Sequence, residues 1–496
     1  MIDHCQGHHS ESRRDFRKKC AAVHNGLPAT VPRKFPLFPT LSNRIRGKMF
    51  SVLLVAPLLI TRFAFAAPIE INIMEYNVDP TGLSPSTGPI QFVLNILSQG
   101  GKIVFPCGIY LLDAPLNQNL VAGAHMEIAG GGLDCTKIVQ ATGGANAFNF
   151  NLASPSAGVT VHDLTLTTRG SGGYAIAMNG SGNAVASGNS NNSFANLIIR
   201  GDDYLSTNNN FWAVGLWLFN VSQTQVSNVT IFGSQGMQGI GVQMGGPNGQ
   251  AESYVLNVSN SYFALGYAGL YFNDYWQGAA ISNTNFGGLN GIVQTPLATQ
   301  NDPLDSPAQL QVVNSQFNCA QYAIYLQSDV MDTAISNSLF ILGNANAYGY
   351  AAIAQQTGFQ FYGNHINGQG NNGYGVVFTD SATGPYSSGH IYHNTFNAVQ
   401  SGIVAGAGVY NLAIDKNICS GGVPYCYSVA GNSPSVIIDD TATIRNVNSL
   451  APSTAAIEGS TAIVNDAQNP VPGTPVAGGG TELAWVWATK GVWMVK

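Results

Sequence analysis

Charge is what this sequence has least of. Asp, Glu, Lys and Arg together make up 9% of its 496 residues, and cations are nearly absent from the body of the chain. Eleven of the 19 Lys and Arg lie before Ala67, with only three of the 25 acids, Asp3, Glu11 and Asp15, so the remainder sets 8 bases against 22 acids. A surface so short of cations excludes nucleic acid as a partner, because that affinity comes largely from Lys and Arg neutralising phosphates. The sequence also has no phosphate loop, no Cys/His metal spacing and no nucleophile elbow. Sustained 3.6-residue periodicity is missing from the central region, which argues against a helical protein. The most apolar run stops well short of the ~20 residues that a membrane span needs.

That apolar run lies in "RIRGKMFSVLLVAPLLITRFAFAAP", where a basic stretch (Arg44, Arg46, Lys48) precedes an apolar core from Phe50 to Ile60 and the small-x-small pattern Ala64-Phe65-Ala66. This is the layout of a secretory signal, which predicts a secreted, periplasmic or cell-surface protein with no stable membrane insertion after processing. The preceding 43 residues have two readings. They are upstream sequence, with Met49 the true start, or "SRRDFRK" at Ser12 is a twin-arginine export motif, separated from the apolar core by "HNGLPATVPRKFP". Export permits disulfides. Of seven Cys, Cys5 and Cys20 would leave with the leader; Cys419 and Cys426 bracket a short loop and could pair, Cys107 with Cys135 is a second possibility, and Cys319 is left as a small apolar residue.

Gly is abundant, at 58 residues, and the middle of the chain is crowded with Asn, Ser, Thr and aromatics. Such material favours short strands and turns. It is organised by a recurring motif: Asp163 (DLTL), Asn196 (NLII), Asn228 (NVTI), Asn260 (NSYF), Asn283 (NTNF), Asn314 (NSQF), Asn337 (NSLF), Asn364 (NHI), Asn394 (NTF) and Asn417 (NIC). The intervals are 33, 32, 32, 23, 31, 23, 27, 30 and 23 residues. A period in that range that tolerates insertions marks a solenoid whose extra residues bulge out as loops. Each interval holds alternating apolar residues, the Asn turn, a short strand ending in Phe or Ile, then a Gly and a second apolar strand such as "GLYF" at Gly269. Stacked turn upon turn, such strands give a parallel β-helix. The Asn tolerates a left-handed bend and can stack in a ladder, and the Phe or Ile stacks inside.

The opening of the mature chain, "EYNVDPTGLSPSTGPIQFVLNILSQGGKIVFPCGIYLLDAPL" from Glu75, resembles that of the pectate lyase superfamily, the right-handed β-helices that include rhamnogalacturonases, epimerases and phage tailspikes. The resemblance rests on Asp79, Gly82, Gly100, Gly101, Phe105, Pro106, Gly108, Tyr110 and Leu112, and "MEIAGGGLDCTKIVQA" from Met126 is similar to the next coil. One departure is "STGP" where the family's short helix usually opens on "DDT". The resemblance implies an all-β, right-handed parallel β-helix over 68–446, following a leader at 1–67. Pro89 near its start and Gly100 past its end predict a short helix, Ile90 to Ser98, that plugs the open end of the coil. Residues 447–496 combine a Pro- and Gly-rich linker with a segment that resembles a small β module of tail-fibre-like proteins. Its Trp485, Trp487 and Trp493 could bind sugars, and suit capping or homo-oligomer formation better.

Because charge is scarce, acids stand out as candidates for chemistry. The strands after successive ladder residues end in Asn220, Gln243, Asp274, Gln294, Asp329, Gln355 and Asp380. If this column is straight, Asp274, Asp329 and Asp380 lie on every second turn, about 10 Å apart. That separation suits an inverting hydrolase, which holds a water between acid and base. Tyr275 and Trp276 beside Asp274 offer flat faces for a sugar. A second candidate is "RGDDYL", where Arg200, Asp202 and Asp203 precede an aromatic stretch including Trp217. Two acids sharing a site raise one pKa, or hold calcium; as neighbours on a strand they point apart. His393, beside a ladder Asn, is a further ligand-binding candidate, and His390 after Gly389 is a weak echo of the polygalacturonase "GHG".

Joined to the family resemblance, these residues predict a carbohydrate-active protein that cleaves or modifies a polysaccharide. A glycoside hydrolase is favoured over a polyuronate lyase, which needs cations to neutralise substrate carboxylates unless calcium supplies the charge. No other cofactor or metal is expected. The alternative is a non-catalytic glycan-binding, tail-fibre-like surface protein.

Overall fold

The computed structural model describes residues 69–496 apart from 155, 182–190, 204–209, 246–252, 274–275, 295–308, 327–331, 344–348, 355–357, 370–372, 379–387, 407–408, 410, 422, 424, 430–435, 446, 448–449, 451–460 and 490–491. The signal-like segment, Asp274, Tyr275, Asp329, Gln355 and Asp380 all lie outside the described residues. Among the described residues no helix is long and apolar enough to cross a membrane.

The chain coils through short strands that build three parallel sheets. One coil consists of Ser253–Ser259, Tyr262–Ala264 and Ala268–Phe272, contributing to the first, second and third sheets in turn. Each strand pairs in parallel with its equivalent one coil later: Val258 with Ile281, Phe263 with Phe286, Leu270 with Ile292. The result is the predicted right-handed parallel β-helix.

The bend between first and second sheets is made by one left-handed residue per coil. Asp163, Asn196, Asn228, Asn260, Asn283, Asn314 and Asn337 all have φ between 49° and 59°, a region that Asn and Asp enter at least cost. Asn228 donates to Asn196 Oδ1 at 3.3 Å and Asn196 to Asp163 Oδ1 at 3.0 Å, so part of the bend carries an external amide ladder.

The later coils correct the sequence alignment by one residue. There the left-handed positions are Gly363, His393 and Lys416, and Asn364, Asn394 and Asn417 occupy the next position, which faces inward and is buried. Upstream coils fill that inward position with Ser261, Thr284, Ser315 and Ser338. Asn394 Oδ1 accepts from the backbone N–H of Asn364 at 3.0 Å, and Asn394 Nδ2 donates to Asn417 Oδ1 at 3.0 Å. The recurring Asn thus has two separate jobs, an external bend in early coils and an internal hydrogen-bonded stack in late ones.

Two residues beyond the inward position, the Phe stack forms as expected. Phe286, Phe317 and Phe340 are at most 2% exposed, with centroids 4.7 Å and 4.9 Å apart. Gly241, Gly269 and Gly291, at the start of their third-sheet strands, make room for this stack: a Cβ on Gly291 would sit 2.7 Å from Phe317 Cδ1.

The capping helix runs Thr87–Ile96, starting three residues before the predicted Ile90. Ile90, Val93 and Leu94 are buried against the first coil. Gln91 exchanges two 2.7 Å hydrogen bonds with the backbone of Asn117, satisfying the edge strand that the helix covers. At the other end, Thr461–Ala467, Glu482–Thr489 and Val492–Val495 form a small antiparallel sheet. Its Trp493 is buried, whereas Trp485 and Trp487 are exposed. Cys107–Cys135 and Cys419–Cys426 are disulfides, and Cys319 is free and buried.

Candidate functional site

Among the described residues, those singled out in the sequence do not converge. Trp276 is 3% exposed and stacks on Phe272 with centroids 4.1 Å apart, so it packs the corner between coils and offers no face to a sugar. The polar column is not straight either. Gln243 pairs with Trp217 and Tyr271 on the outer face, whereas Gln294 pairs with Phe272 and Leu326 and is wholly buried. One residue of offset sends a strand side chain to the opposite face, and intervals of unequal length supply that offset.

Asp202 and Asp203 diverge. Asp202 is bound by Lys137 and by Arg169 Nε at 3.0 Å, and Asp203 Oδ2 accepts from the Asn210 N–H at 3.2 Å. Burial, the largest single influence, pushes the Asp202 pKa up. The Lys137 and Arg169 hydrogen bonds and charges together outweigh it and hold the carboxyl below its ordinary value. That is the reverse of the raised pKa a general acid needs. Arg200 donates to the Gly201 carbonyl at 2.8 Å on the same outer face of the second sheet.

His393 sits at a left-handed bend, φ 56°, next to a cluster the sequence did not reveal. On the outer face of the first sheet, His390 Nε2 lies 2.9 Å from Asp415 Oδ1, its ring is 4.0 Å from Tyr392, and Tyr392 stacks on Tyr362 at 5.0 Å. Lys416 Nζ is 3.8 Å from Asp415 Oδ2. Burial first, then the neighbouring Tyr362 and Asp415, raise the Tyr392 pKa. Only register brings these residues together, since Tyr362, Tyr392 and Asp415 come from three coils. The sequence signal was the loss of Asn from the bend at His393 and Lys416.

Among the described residues, Trp217 alone of the named binding candidates stands in a file of aromatics. It is half-buried on the outer face of the third sheet, stacked on Tyr174 at 5.2 Å and on Phe219 at 5.6 Å. Further along come Tyr271, then Tyr322 and Tyr325 at 4.7 Å, then Tyr350 and Tyr374 at 5.1 Å. Tyr174 and Tyr374 stand on strands seven rungs apart, about 34 Å at the usual strand spacing. At the N-terminal end the file meets a cleft of about 370 Å³ lined by Asn119, Asn151 and Asn179. This face can stack flat, amphipathic rings and hydrogen-bond their polar edges. Among the described residues no group of three or more His, Cys, Asp or Glu stands close enough to hold a metal ion.

No protein-family model matches the chain, and no curated protein matches it. Solved structures do. A tailspike protein double mutant of E. coli bacteriophage HK620 aligns with TM-score 0.55 at 12% identity, covering 79% of this chain and 75% of that one. The HK620 tailspike in complex with pentasaccharide aligns with TM-score 0.50 at 12% identity over 82% and 83%. The Azotobacter vinelandii mannuronan C-5 epimerase AlgE6 A-module gives TM-score 0.47 at 14% identity, covering 74% and 97%. At such identities the likeness speaks for the fold, and with the stacked parallel sheets it establishes this chain as a right-handed parallel β-helix.

Proposed function

We propose that this is an exported protein that holds an extended polysaccharide along the outer face of its third sheet and hydrolyses it. The aromatic file from Tyr174 to Tyr374 carries this reading. Two groups of stacked rings on one face, Tyr174, Trp217 and Phe219 at one end and Tyr322, Tyr325, Tyr350 and Tyr374 at the other with Tyr271 between them, suit a ligand made of repeated flat, amphipathic units. A tailspike of the same fold binds a pentasaccharide, which supports a glycan as the ligand. The signal-like segment and the two disulfides support export.

Hydrolysis needs an acid with a raised pKa. Asp79, Glu127, Asp163 and Asp202 are all held low, so none of them suits that role. Asp274, Asp329 and Asp380 follow third-sheet strands that end at Phe272, Leu326 and Phe378. Those end residues belong to one register column, each two rungs from the next, so the strand ends before the acids are about 10 Å apart. A lyase acting on polyuronates is the less favoured chemistry, because the strands of the aromatic face contain no Lys or Arg to neutralise a carboxylate.

The test is a polysaccharide panel scored for reducing ends and for unsaturated products. New reducing ends, abolished by Asp274→Asn or Asp329→Asn with the fold intact, support hydrolysis. Unsaturated products would establish a lyase instead. Binding without products would favour a non-catalytic glycan-binding protein, a second reading supported by the exposed Trp485 and Trp487 of the C-terminal sheet.

A further inference from the structure

The third sheet differs from the other two in charge. Its strands, from Leu116–Leu120 through Tyr425–Val429, contain no Asp, Glu, Lys, Arg or His. The first sheet carries Lys102, Glu127, His162, His390 and Asp415, and the second carries Lys137 and Arg200. The few charges of the β-helix strands are thus confined to the faces without the aromatic file.

The cleft at the N-terminal end of that file is built from amides. Asn119, Asn151 and Asn179 occupy equivalent positions on three successive rungs and are exposed. Asn151 Nδ2 donates to Asn119 Oδ1 at 2.9 Å, which fixes the orientation of the pair. The Asn119 amide hydrogens and the Asn151 carbonyl are left for a ligand, and the Asn179 amide has no hydrogen-bond partner among the described residues. On the next rung Phe219 pairs with Asn179 and stacks on Trp217, so the amides lead directly into the aromatic file.

We propose that this cleft is the terminal subsite of the glycan face and that it selects an uncharged sugar, one bearing hydroxyl or amide groups but no carboxylate, sulfate or phosphate. The proposal rests on the glycan reading above and narrows it. Neutral amides both donate to and accept from hydroxyls, matching a sugar's own mixture of donors and acceptors. An anionic sugar would be desolvated on a face that offers it no cation, an uncompensated cost. Arg and Lys are the groups that recognise such anions. The acid excess of the chain after Ala67 would also repel a polyanion on approach.

Binding of neutral and anionic polysaccharides is measured on the full chain by titration calorimetry at low and high salt, for the wild type and for Asn151→Ala, Asn179→Ala and Trp217→Ala. The expected result is binding of a neutral glycan that salt leaves unchanged, weakened roughly tenfold by either Asn substitution with the melting temperature unaffected. Salt-sensitive binding of a polyuronate or sulfated glycan, lost in Trp217→Ala, would overturn the uncharged-sugar assignment while leaving the glycan face standing. Neutral-glycan binding that is lost in Trp217→Ala but unaffected by both Asn substitutions would overturn the role of the cleft. Binding of no glycan of either kind would instead overturn the glycan reading and this inference with it.

Discussion

Tyr174 and Trp217, on strands of adjacent coils, lie with ring centroids 5.2 Å apart and planes 30° apart on the outside of the third sheet. Both rings are half-buried on that outer face rather than packed into the core. Trp217→Ala is therefore expected to weaken glycan binding by tenfold or more, about 1.4 kcal/mol per tenfold, while changing the melting temperature little. Unaltered affinity in isothermal titration would remove the aromatic file from the binding site.

Phe317 is sandwiched between Phe286 and Phe340 and wholly buried. Truncation to Ala leaves a cavity that flanking coils cannot collapse into, and should cost about 3–5 kcal/mol. Chemical denaturation reads this directly; an unchanged midpoint would place the ring outside the coil.

Asn394 connects three coils through its amide, which also donates to the Phe361 carbonyl at 2.8 Å. Asn394→Ala removes the acceptor of the Asn364 N–H in a dry interior, whereas Asn417 Oδ1 keeps the Asn394 backbone N–H at 3.0 Å. The expected loss is about 1–3 kcal/mol for each group left unpaired. A variant as stable as the wild type would mean that water replaces the ladder.

Asp202 gives a pH signature. Its folded pKa is depressed, so the stability it contributes is present above the unfolded value of about 3.9 and disappears as pH falls through the folded value. Asp202→Asn should melt below the wild type at pH 7, and the gap should narrow as the pH falls below the unfolded carboxylate value. A melting difference that stays constant through that acid range would show that the ion pairs with Lys137 and Arg169 contribute nothing.

The two disulfides close loops of different length, with sequence separations of 28 and 7. On a chain-entropy account their removal costs about 3.5 and about 2.5 kcal/mol respectively. Replacing Cys107 and Cys135 with Ser should lower the denaturation midpoint more than replacing Cys419 and Cys426; the opposite order would contradict the entropic account.

The architecture was legible in the sequence because each coil repeats its own local physics. A residue that tolerates the left-handed bend, a Phe two to three positions later, and a Gly facing that Phe recur because every coil must turn and fill the same interior. The helix at Thr87–Ile96 announced itself through Pro89 and Gly100, and both Cys pairings were among those expected.

The site was less legible, and particular residues show why. Asn364, Asn394 and Asn417 resemble the bend residues letter for letter, yet they sit one position later, and in a strand one position exchanges outside for inside. Trp276 read as a sugar platform because an acid and a Tyr precede it, whereas it is buried against Phe272. Sequence alone determined the period, the bend residues of the earlier coils and the interior Phe stack, because each coil repeats the same local requirements. Only the tertiary structure decided the outer faces. The register between coils, which depends on how many residues each loop absorbs, aligned Tyr174, Trp217, Tyr325 and Tyr350 on one sheet and gathered His390, Tyr392 and Asp415 on another.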